Sequence, residues 1–411
     1  MAEYLTGLDL GTTKIGVIIA EVSEESQPKI IGVGTAPSEG LRKGVVVNLE
    51  KTVRSIEKAL EIAEQMAGIK VDEVYVGIAG DHIRSYNGRG VVAVAGQDNE
   101  VTEDDVRRVI DAARAVVMPM DREIIHIIPQ EFIVDDQRGI KDPLGMTGVR
   151  LETEVHLVTG AITSAQNICR SVERAGLFVK DLVLEPLASS YSVLAEEEKE
   201  LGVIVIDMGG GTTDIAMFFE GCIRHTAVVA LGGGNVTNDI ALVLRTPMDQ
   251  AEIIKHRHGC CVQDLIENPE EPIEIPGIGG RASRRVSKEL LIDIIRPRME
   301  EIFKLAAGQI RKSDYANLMT TGVVLTGGAS LIKGAGELAE EVFDMPVKLG
   351  IPKGFSGLID MAKNPMHATG VGLILYALSR DYEMDGFLAE GELTLFERIW
   401  ERMKSWFKHK K

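Results

Sequence analysis

An apolar strand running into aspartate, glycine and paired threonines occurs twice in this chain of 411 residues: Gly7-Leu8-Asp9-Leu10-Gly11-Thr12-Thr13-Lys14 and Val205-Ile206-Asp207-Met208-Gly209-Gly210-Gly211-Thr212-Thr213-Asp214. Each copy continues into a second apolar run, over 15–20 and 215–219, so each is expected to form two strands joined by a tight glycine turn. Such a turn exposes several backbone N–H groups. Together with the threonine hydroxyls they suit phosphate oxygens, and Asp9 and Asp207 at the strand ends could hold a hydrated Mg²⁺ between them. One aspartate-glycine hairpin is ordinarily just a turn. Two in register, about half the chain apart, predict two similar half-molecules facing one polyphosphate.

The chain exceeds the size at which a single core keeps growing, so two lobes or several subdomains are expected. A formal charge of −17 and a pI near 5.1 argue against a nucleic-acid surface. From 395 to 411 there are six basic and two acidic side chains, a net +4 that leaves −21 for the rest. That asymmetry points to a separate function for the tail. Cys169, Cys222, Cys260 and Cys261 have no disulfide-framework spacing, and the N-terminus has no secretion-signal layout, which together point to a reducing cytoplasm. His256, His258, Cys260 and Cys261 fit no standard zinc spacing and are taken as a loop. No apolar run approaches the ~20 residues of a membrane-spanning helix.

Periodicity predicts strands over 3–20 and 29–37, a helix over 49–67 with Val53, Ile56, Ala59, Leu60 and Ala63 on one face, and a strand over 74–79. This order suits half of a two-lobed α/β sheet structure. The pattern then changes between 80 and 156, where strands at 91–95, 124–134 and 151–158 and a helix at 103–117 suggest an inserted subdomain. Helices follow at 164–175, 186–197, 196–201, 236–244, 287–310, 333–342 and 366–379, with strands at 179–184 and 322–326. A polar, Pro/Gly-rich stretch covers 259–280. The acidic segment 381–392 reads as a flexible linker.

A third element, Val323-Val324-Leu325-Thr326-Gly327-Gly328-Ala329-Ser330, places a double glycine at the end of an apolar strand, where backbone can approach a flat ligand closely. In order after two hairpin loops, it resembles the adenosine element of the actin, Hsp70 and sugar-kinase superfamily. Gly77-Ile78-Ala79-Gly80, Leu157-Val158-Thr159-Gly160 and Glu185-Pro186-Leu187-Ala188-Ser189-Ser190-Tyr191 narrow the likeness. With both hairpins and an amphipathic C-terminus, essentially the whole chain resembles the FtsA family of bacterial actin-like cell-division proteins.

The resemblance implies a two-lobed, actin-like α/β ATPase fold of duplicated ribonuclease H-like halves. The expected division is a first-lobe core at 1–80 and 157–197, an insert at 81–156, a second-lobe core at 198–226 and 299–380, an outer subdomain at 227–298, the linker at 381–392 and a terminal helix at 393–411. It also implies ATP with Mg²⁺ between the lobes, filament formation, other cell-division proteins as partners of the insert, and tethering of FtsZ filaments to the inner membrane face at the division site. By position, Gly11, Thr12, Thr13 and Lys14 would hold one side of the phosphates, and Gly209, Gly210, Gly211, Thr212 and Thr213 the other. Gly233, Gly234 and Asn235, with Gly327, Gly328 and Ala329, would bracket ribose and adenine, with Lys288 near the base. The outer subdomain would bind the C-terminal peptide of FtsZ, with Arg284, Arg285, Arg296 and Arg298 as basic candidates. Glu185 reads either as a carboxylate positioning the attacking water or as a helix-start acid before an N1 proline. Family members are variable ATPases, so nucleotide-gated assembly is expected, with slow hydrolysis at most.

On a helix of about 100° per residue, Leu395, Phe396, Ile399, Trp400, Met403, Trp406 and Phe407 fall within about 140°, while Arg398, Arg402, Lys404 and Lys408 fall outside it. Both tryptophans of the protein lie on the apolar face. This is the composition of a helix lying in the headgroup boundary of an anionic membrane, where each basic residue contributes ~1 kcal/mol. Two other readings fit less. A small-molecule kinase needs a substrate pocket and a base that the sequence does not reveal, and an Hsp70-like regulator needs a peptide-binding domain after the ATPase.

Overall fold

The computed structural model describes residues 3–387 apart from 24–25, 116–117, 267, 278 and 280. β1 (Glu3–Leu10), β2 (Lys14–Ser23) and β3 (Ser26–Pro37) form an antiparallel meander. The short pair β4 (Leu41–Arg42) and β5 (Val45–Val46) leads into α1 (Leu49–Ala67), and β6 (Glu73–Ile78) returns parallel to β1. α1 coincides with the predicted 49–67. Asn48 caps its first turn by accepting from the Lys51 N–H at 3.1 Å, and Gly68 ends it at φ 73°.

β7 (Arg84–Ala93), α2 (Glu103–Arg114), β8 (Arg122–Val134), β9 (Gln137–Ile140) and β10 (Arg150–Ala161) make a separate four-stranded sheet in the order β7-β10-β8-β9. This is the insert, with a small core of its own around Val106, Val109, Phe132 and Leu151. The chain then rejoins the first lobe through α3 (Ile162–Arg174), β11 (Phe178–Leu184) and α4 (Glu185–Val193), and α5 (Glu196–Leu201) leads out. The helix expected over 186–197 therefore ends early, because Leu194 turns extended and Glu198 accepts from the Ala195 N–H to start a new helix.

The second lobe repeats the first. β12 (Val203–Met208), β13 (Thr213–Phe219) and β14 (Cys222–Val229) form another antiparallel meander. After α6 (Gly233–Leu244), α7 (Met248–His258), β15 (Pro272–Ile275), β16 (Arg284–Ser287) and α8 (Lys288–Ile310), strand β17 (Val323–Thr326) lies parallel to β12. α9 (Ala335–Phe343) and β18 (Val347–Leu349) complete the sheet. The order β14-β13-β12-β17-β18 matches β3-β2-β1-β6-β11 strand for strand, in both position and direction. The sheet architecture is thus duplicated along with the sequence motif.

β19 (Ser356–Gly357), α10 (Ile359–Ala362) and α11 (Ala368–Phe387) bring the chain back onto the first lobe, where β19 extends the sheet beside β3. α11 packs on β1 and on α4, while α4 also reaches β12 and β13 of the other sheet. β12 is buried on both faces: Val203 and Val205 join the first-lobe core, and Ile204 and Ile206 the second.

Two further expectations, the linker and the His256–His258 loop, need correction, and the 259–280 stretch gains detail. α11 continues to Phe387, so 381–387 of the expected linker is helical; this stretch has no proline, and its acidic residues are tolerated in a helix as well as in coil. The stretch 259–280 contains β15, paired with β16. His256 and His258 sit in the last turn of α7 rather than in a loop. The terminal helix expected over 393–411 lies outside the described residues.

Gly372 of α11 sits where a Cβ would collide with the Ala188 carbonyl of α4. Gly372→Ala is therefore expected to destabilise the chain by about 1–3 kcal/mol through overpacking, measured as a lowered urea midpoint with an unchanged m-value.

Candidate functional site

The two hairpin turns meet tip to tip. A Cβ built on Gly210 would lie 2.5 Å from Thr13 Oγ1, and one on Gly211 would lie 2.5 Å from Thr12 Oγ1. Only glycine at both positions lets the loops approach this closely. Thr12 also accepts from the Gly44 N–H at 3.3 Å, which ties the first loop to the β4–β5 turn. The second loop is closed by Gly209 N–H donating to Thr212 O at 3.0 Å. The Thr213 hydroxyl donates to Leu231 O at 2.9 Å, so it braces the back of the hairpin.

The turn at Gly232 is built onto this second loop. Gly233 and Gly234 donate their N–H groups to Gly209 O and Gly210 O at 2.9 and 2.8 Å, and Asn235 Oδ1 accepts from the Gly232 N–H at 3.0 Å. These three residues hold the loop against the start of α6, and all three of their amides are already used, that of Asn235 by Gly232 O at 2.9 Å. Gly327, at φ 85°, has no room for a side chain: a Cβ there would press on Asp207 Oδ1 and lie 2.6 Å from Met208 O. A Cβ on Gly233 would lie 2.9 Å from Ala329 Cβ, so the third element adjoins the second loop.

Between the turns the charge is almost all of one sign. Asp9, Asp207 and Asp214 are buried, and Glu185 at the start of α4 is half-buried, its Cγ 3.1 Å from where a Cβ on Gly77 would be. Burial raises Asp9, opposed by the Lys14 ammonium 3.7 Å away. Asp207 is pushed up to about 6 by burial, with the Ser189 hydroxyl at 2.5 Å pulling the other way and the Asp9 charge adding to the rise. Asp214 is pushed up to about 7 by burial and then by Asp207. Glu185 is raised well above the usual carboxylate range by burial, then by Asp9, Asp214 and Asp207. Asp214 pairs with Asp207 across the hairpin, and its Oδ1 is buried without a partner. It was missed as a site residue, although it closes the second motif and has glycine, Gly16, as its counterpart in the first hairpin's register.

A triphosphate cannot enter such a pocket on electrostatic grounds unless a cation comes with it. The donor set is of a kind that suits hydrated Mg²⁺: Asp9 and Asp207 would hold it through water, since no group of three described side chains is close enough for direct ligation.

Beyond Gly328 opens a cleft of about 560 Å³, lined by Lys255, His256, Arg257, His258, Lys288, Leu331, Ile332 and Lys333 among others. Lys288 thus shares a wall with Gly328, and it also pairs with Glu271. α7, absent from the sequence reading, supplies buried Lys255, whose Nζ donates to Gly233 O, Thr237 Oγ1 and Glu252 at 3.2, 2.9 and 2.8 Å. Of the arginines expected to meet a partner, Arg296 pairs with Glu341 at 2.7 Å and Arg298 with Asp239 at 2.6 Å. Arg284 donates to Leu244 O, and Arg285 is exposed on β16.

The chain is 48% identical over 408 residues to the cell division protein FtsA of Pseudomonas aeruginosa, covering 98% of this chain and 97% of that one. The chain belongs to the FtsA family. Its FtsA relatives in Escherichia coli K12 and Bacillus subtilis are 39% and 40% identical, over 99% and 91% of this chain and 96% and 83% of theirs. The family model described as "Cell division protein FtsA" matches residues 204–372, and that of the SHS2 domain inserted in FtsA matches 80–159, the insert. Among solved structures, a PilM–PilN type IV pilus biogenesis complex superposes with a TM-score of 0.68 at 16% identity, covering 91% of this chain and 98% of that one. MreB5 of Spiroplasma citri bound to ADP gives 0.57 at 14%, covering 93% and 98%. These establish the actin-like fold. None of the described helices of this FtsA-family chain is long and apolar enough to cross a membrane.

The acid cluster sets a pH dependence. Because the folded-state values of Asp207 and Asp214 lie above the unfolded value of 3.8, the folded chain holds more protons between about pH 4 and pH 7. Without nucleotide or divalent cation, stability is therefore highest in this term below that window and is lost as pH rises through it. Asp214→Asn is expected to stabilise this apo chain at about pH 8 by on the order of 1–3 kcal/mol, with the gain vanishing near pH 4. Urea denaturation across pH, with chelator present, checks this.

Proposed function

We propose that this FtsA-family chain binds ATP with Mg²⁺ between its two lobes, assembles into filaments under nucleotide control, and tethers FtsZ filaments to the inner face of the cell membrane at the division site. The observation that carries the nucleotide reading is the opposed pair of glycine turns, Gly11–Lys14 and Gly209–Thr212, with carboxylates behind each. MreB5 structures of the same fold with ADP and AMPPNP support it. In this reading backbone amides of both turns and Lys14 hold the phosphates, and Mg²⁺ supplies the positive charge that lets phosphates and carboxylates coexist. Lys14 already leans on the turn just before α11, donating to Met366 O at 2.5 Å. Glu185, at the mouth of the acid cluster, is the group to hold an attacking water, so hydrolysis would be slow and depend on its losing a proton.

Attachment would come from two ends. The outer subdomain 227–298 takes the FtsZ C-terminal peptide, and the insert takes other division proteins. Because Arg284, Arg296 and Arg298 are already engaged, Arg285 is the freer cation for an acidic peptide residue. The tail, with Leu395, Trp400, Trp406 and Phe407 facing lipid and Arg398, Arg402, Lys404 and Lys408 facing headgroups, would bind anionic membrane reversibly, with filament formation multiplying the hold through avidity.

Gly210→Val is expected to abolish ATP binding, at least about 100-fold in Kd, because the side chain would fill the gap against Thr13; calorimetry with Mg²⁺ reads this, and unchanged affinity would overturn the phosphate-loop assignment. Removing 393–411 is expected to abolish flotation with vesicles containing phosphatidylglycerol while leaving ATP affinity unchanged. Equal flotation of both chains would remove the membrane reading.

A further inference from the structure

The cleft beyond Gly328 is more cationic than a purine needs. An adenine ring is neutral, yet Lys255, Arg257, Lys288 and Lys333 all line this space. Two of the four are compensated: Lys255 by Glu252 and Lys288 by Glu271. Among the described residues, Arg257 and Lys333 meet no carboxylate. Two exposed cations without a carboxylate partner therefore line one cleft, in a chain whose net charge is −17.

Their meeting is fixed by backbone. Cys260 and Lys333 form an isolated parallel bridge, with Cys261 N–H donating to Lys333 O at 2.8 Å, so the end of α7 and the segment before α9 are held side by side. Helix electrostatics explain only one of the pair. Arg257 lies in the last turn of α7, where a cation is favoured, but Lys333 lies two residues before α9, at the end where a cation is disfavoured. Positive charge in the cleft is also felt by His258, whose value is lowered by burial and then by Lys288 and Arg257. At about 560 Å³ the space is of a size that suits a small molecule.

The geometry points to a second anion subsite here: a phosphate monoester, additional to the 5′ phosphates of the bound nucleotide, seated between Arg257 and Lys333. It rests on the nucleotide reading above. The phosphate has two sources of the same chemistry, a phosphate on the ribose of the bound nucleotide or free inorganic phosphate held beside ATP.

The test uses the full chain with Mg²⁺ and measures calorimetric affinities for ATP, for its 2′- and 3′-phosphorylated derivatives, and for inorganic phosphate added to the ATP-saturated chain. At least one phosphorylated derivative is expected to bind about 10-fold tighter than ATP. Arg257→Ala with Lys333→Ala should remove that gain, and Arg257→Lys with Lys333→Arg should keep most of it, which separates charge from misfolding. If inorganic phosphate binds the ATP-saturated chain and the alanine pair abolishes this, the free anion is the source. If ATP binds but no added phosphate improves on it or binds beside it, the subsite is overturned and the nucleotide reading stands. Failure of ATP itself to bind would instead overturn the reading beneath both.

Discussion

Carboxylates that face each other in a buried cleft cannot all be ionised without a cation, and the architecture of this chain is organised around that constraint. Asp9 ends one strand, Asp207 the equivalent strand of the other half, and Asp214 returns beside Asp207 one hairpin later. The surrounding groups only partly relieve the repulsion. Ser189 and Thr369 donate to Asp207 at 2.5 and 3.2 Å, and Lys14 stands 3.7 Å from Asp9, but Asp214 Oδ1 has nothing. In the proposed function, a site left under this electrostatic load would bind a metal-nucleotide complex with relief of its own repulsion.

The same duplication explains how such a load is tolerated. Each half brings a five-stranded sheet, and the first-lobe core extends onto Val203, Val205, Ala216 and Phe218 of the second, so most apolar packing lies outside the acid cluster. The two helices that lie between the halves, α4 and α11, pack against each other, and Gly372 of α11 lets them come close at Ala188. Ser189 of α4 and Thr369 of α11 both touch Asp207, and Ser189 Oγ lies 3.1 Å from Thr369 Oγ1. Both helices therefore contact the carboxylate directly. A change in its charge reaches the joint between lobes through two hydroxyls.

Much of this was legible because the relevant signals are local. Glycine punctuation located both hairpins and the third turn, and helical periodicity located α1 at its observed limits. What escaped depends on distant partners. α7 follows Thr246-Pro247, is short, and buries only Ala251, Ile254 and Lys255, so its apolar stripe was too thin to read. Lys255 is buried because Glu252, Thr237 and the Gly233 carbonyl surround it, which no spacing rule foretells. Arg296 and Arg298 looked available until Glu341 and Asp239 came beside them from other helices. Asp214 stood in plain view within the motif, yet its significance lies in the register that sets it opposite Asp207.

The insert adds a further restraint that the lobes alone would lack. β14 is the outer strand of the second sheet, and exposed strand edges invite unwanted pairing. Here side chains of the insert cover it: Gln130 Nε2 donates to Ile223 O at 2.7 Å, and Ser85 Oγ to Thr226 O at 3.0 Å. His156 bridges Asn87 Oδ1 and Thr226 Oγ1 at 2.8 and 3.0 Å, and burial, with His225 nearby, pushes it down to about 3, so the ring is neutral and serves as one donor and one acceptor. Each such bond contributes about 1 kcal/mol, so the seam as a whole amounts to a few kcal/mol, the scale on which ligands shift conformational equilibria. Because the insert belongs to the first lobe and its seam lies on the second, any opening of the cleft must either carry the insert along or break those bonds. In the proposed function, a partner docked on the insert and a nucleotide in the cleft would act on the same equilibrium.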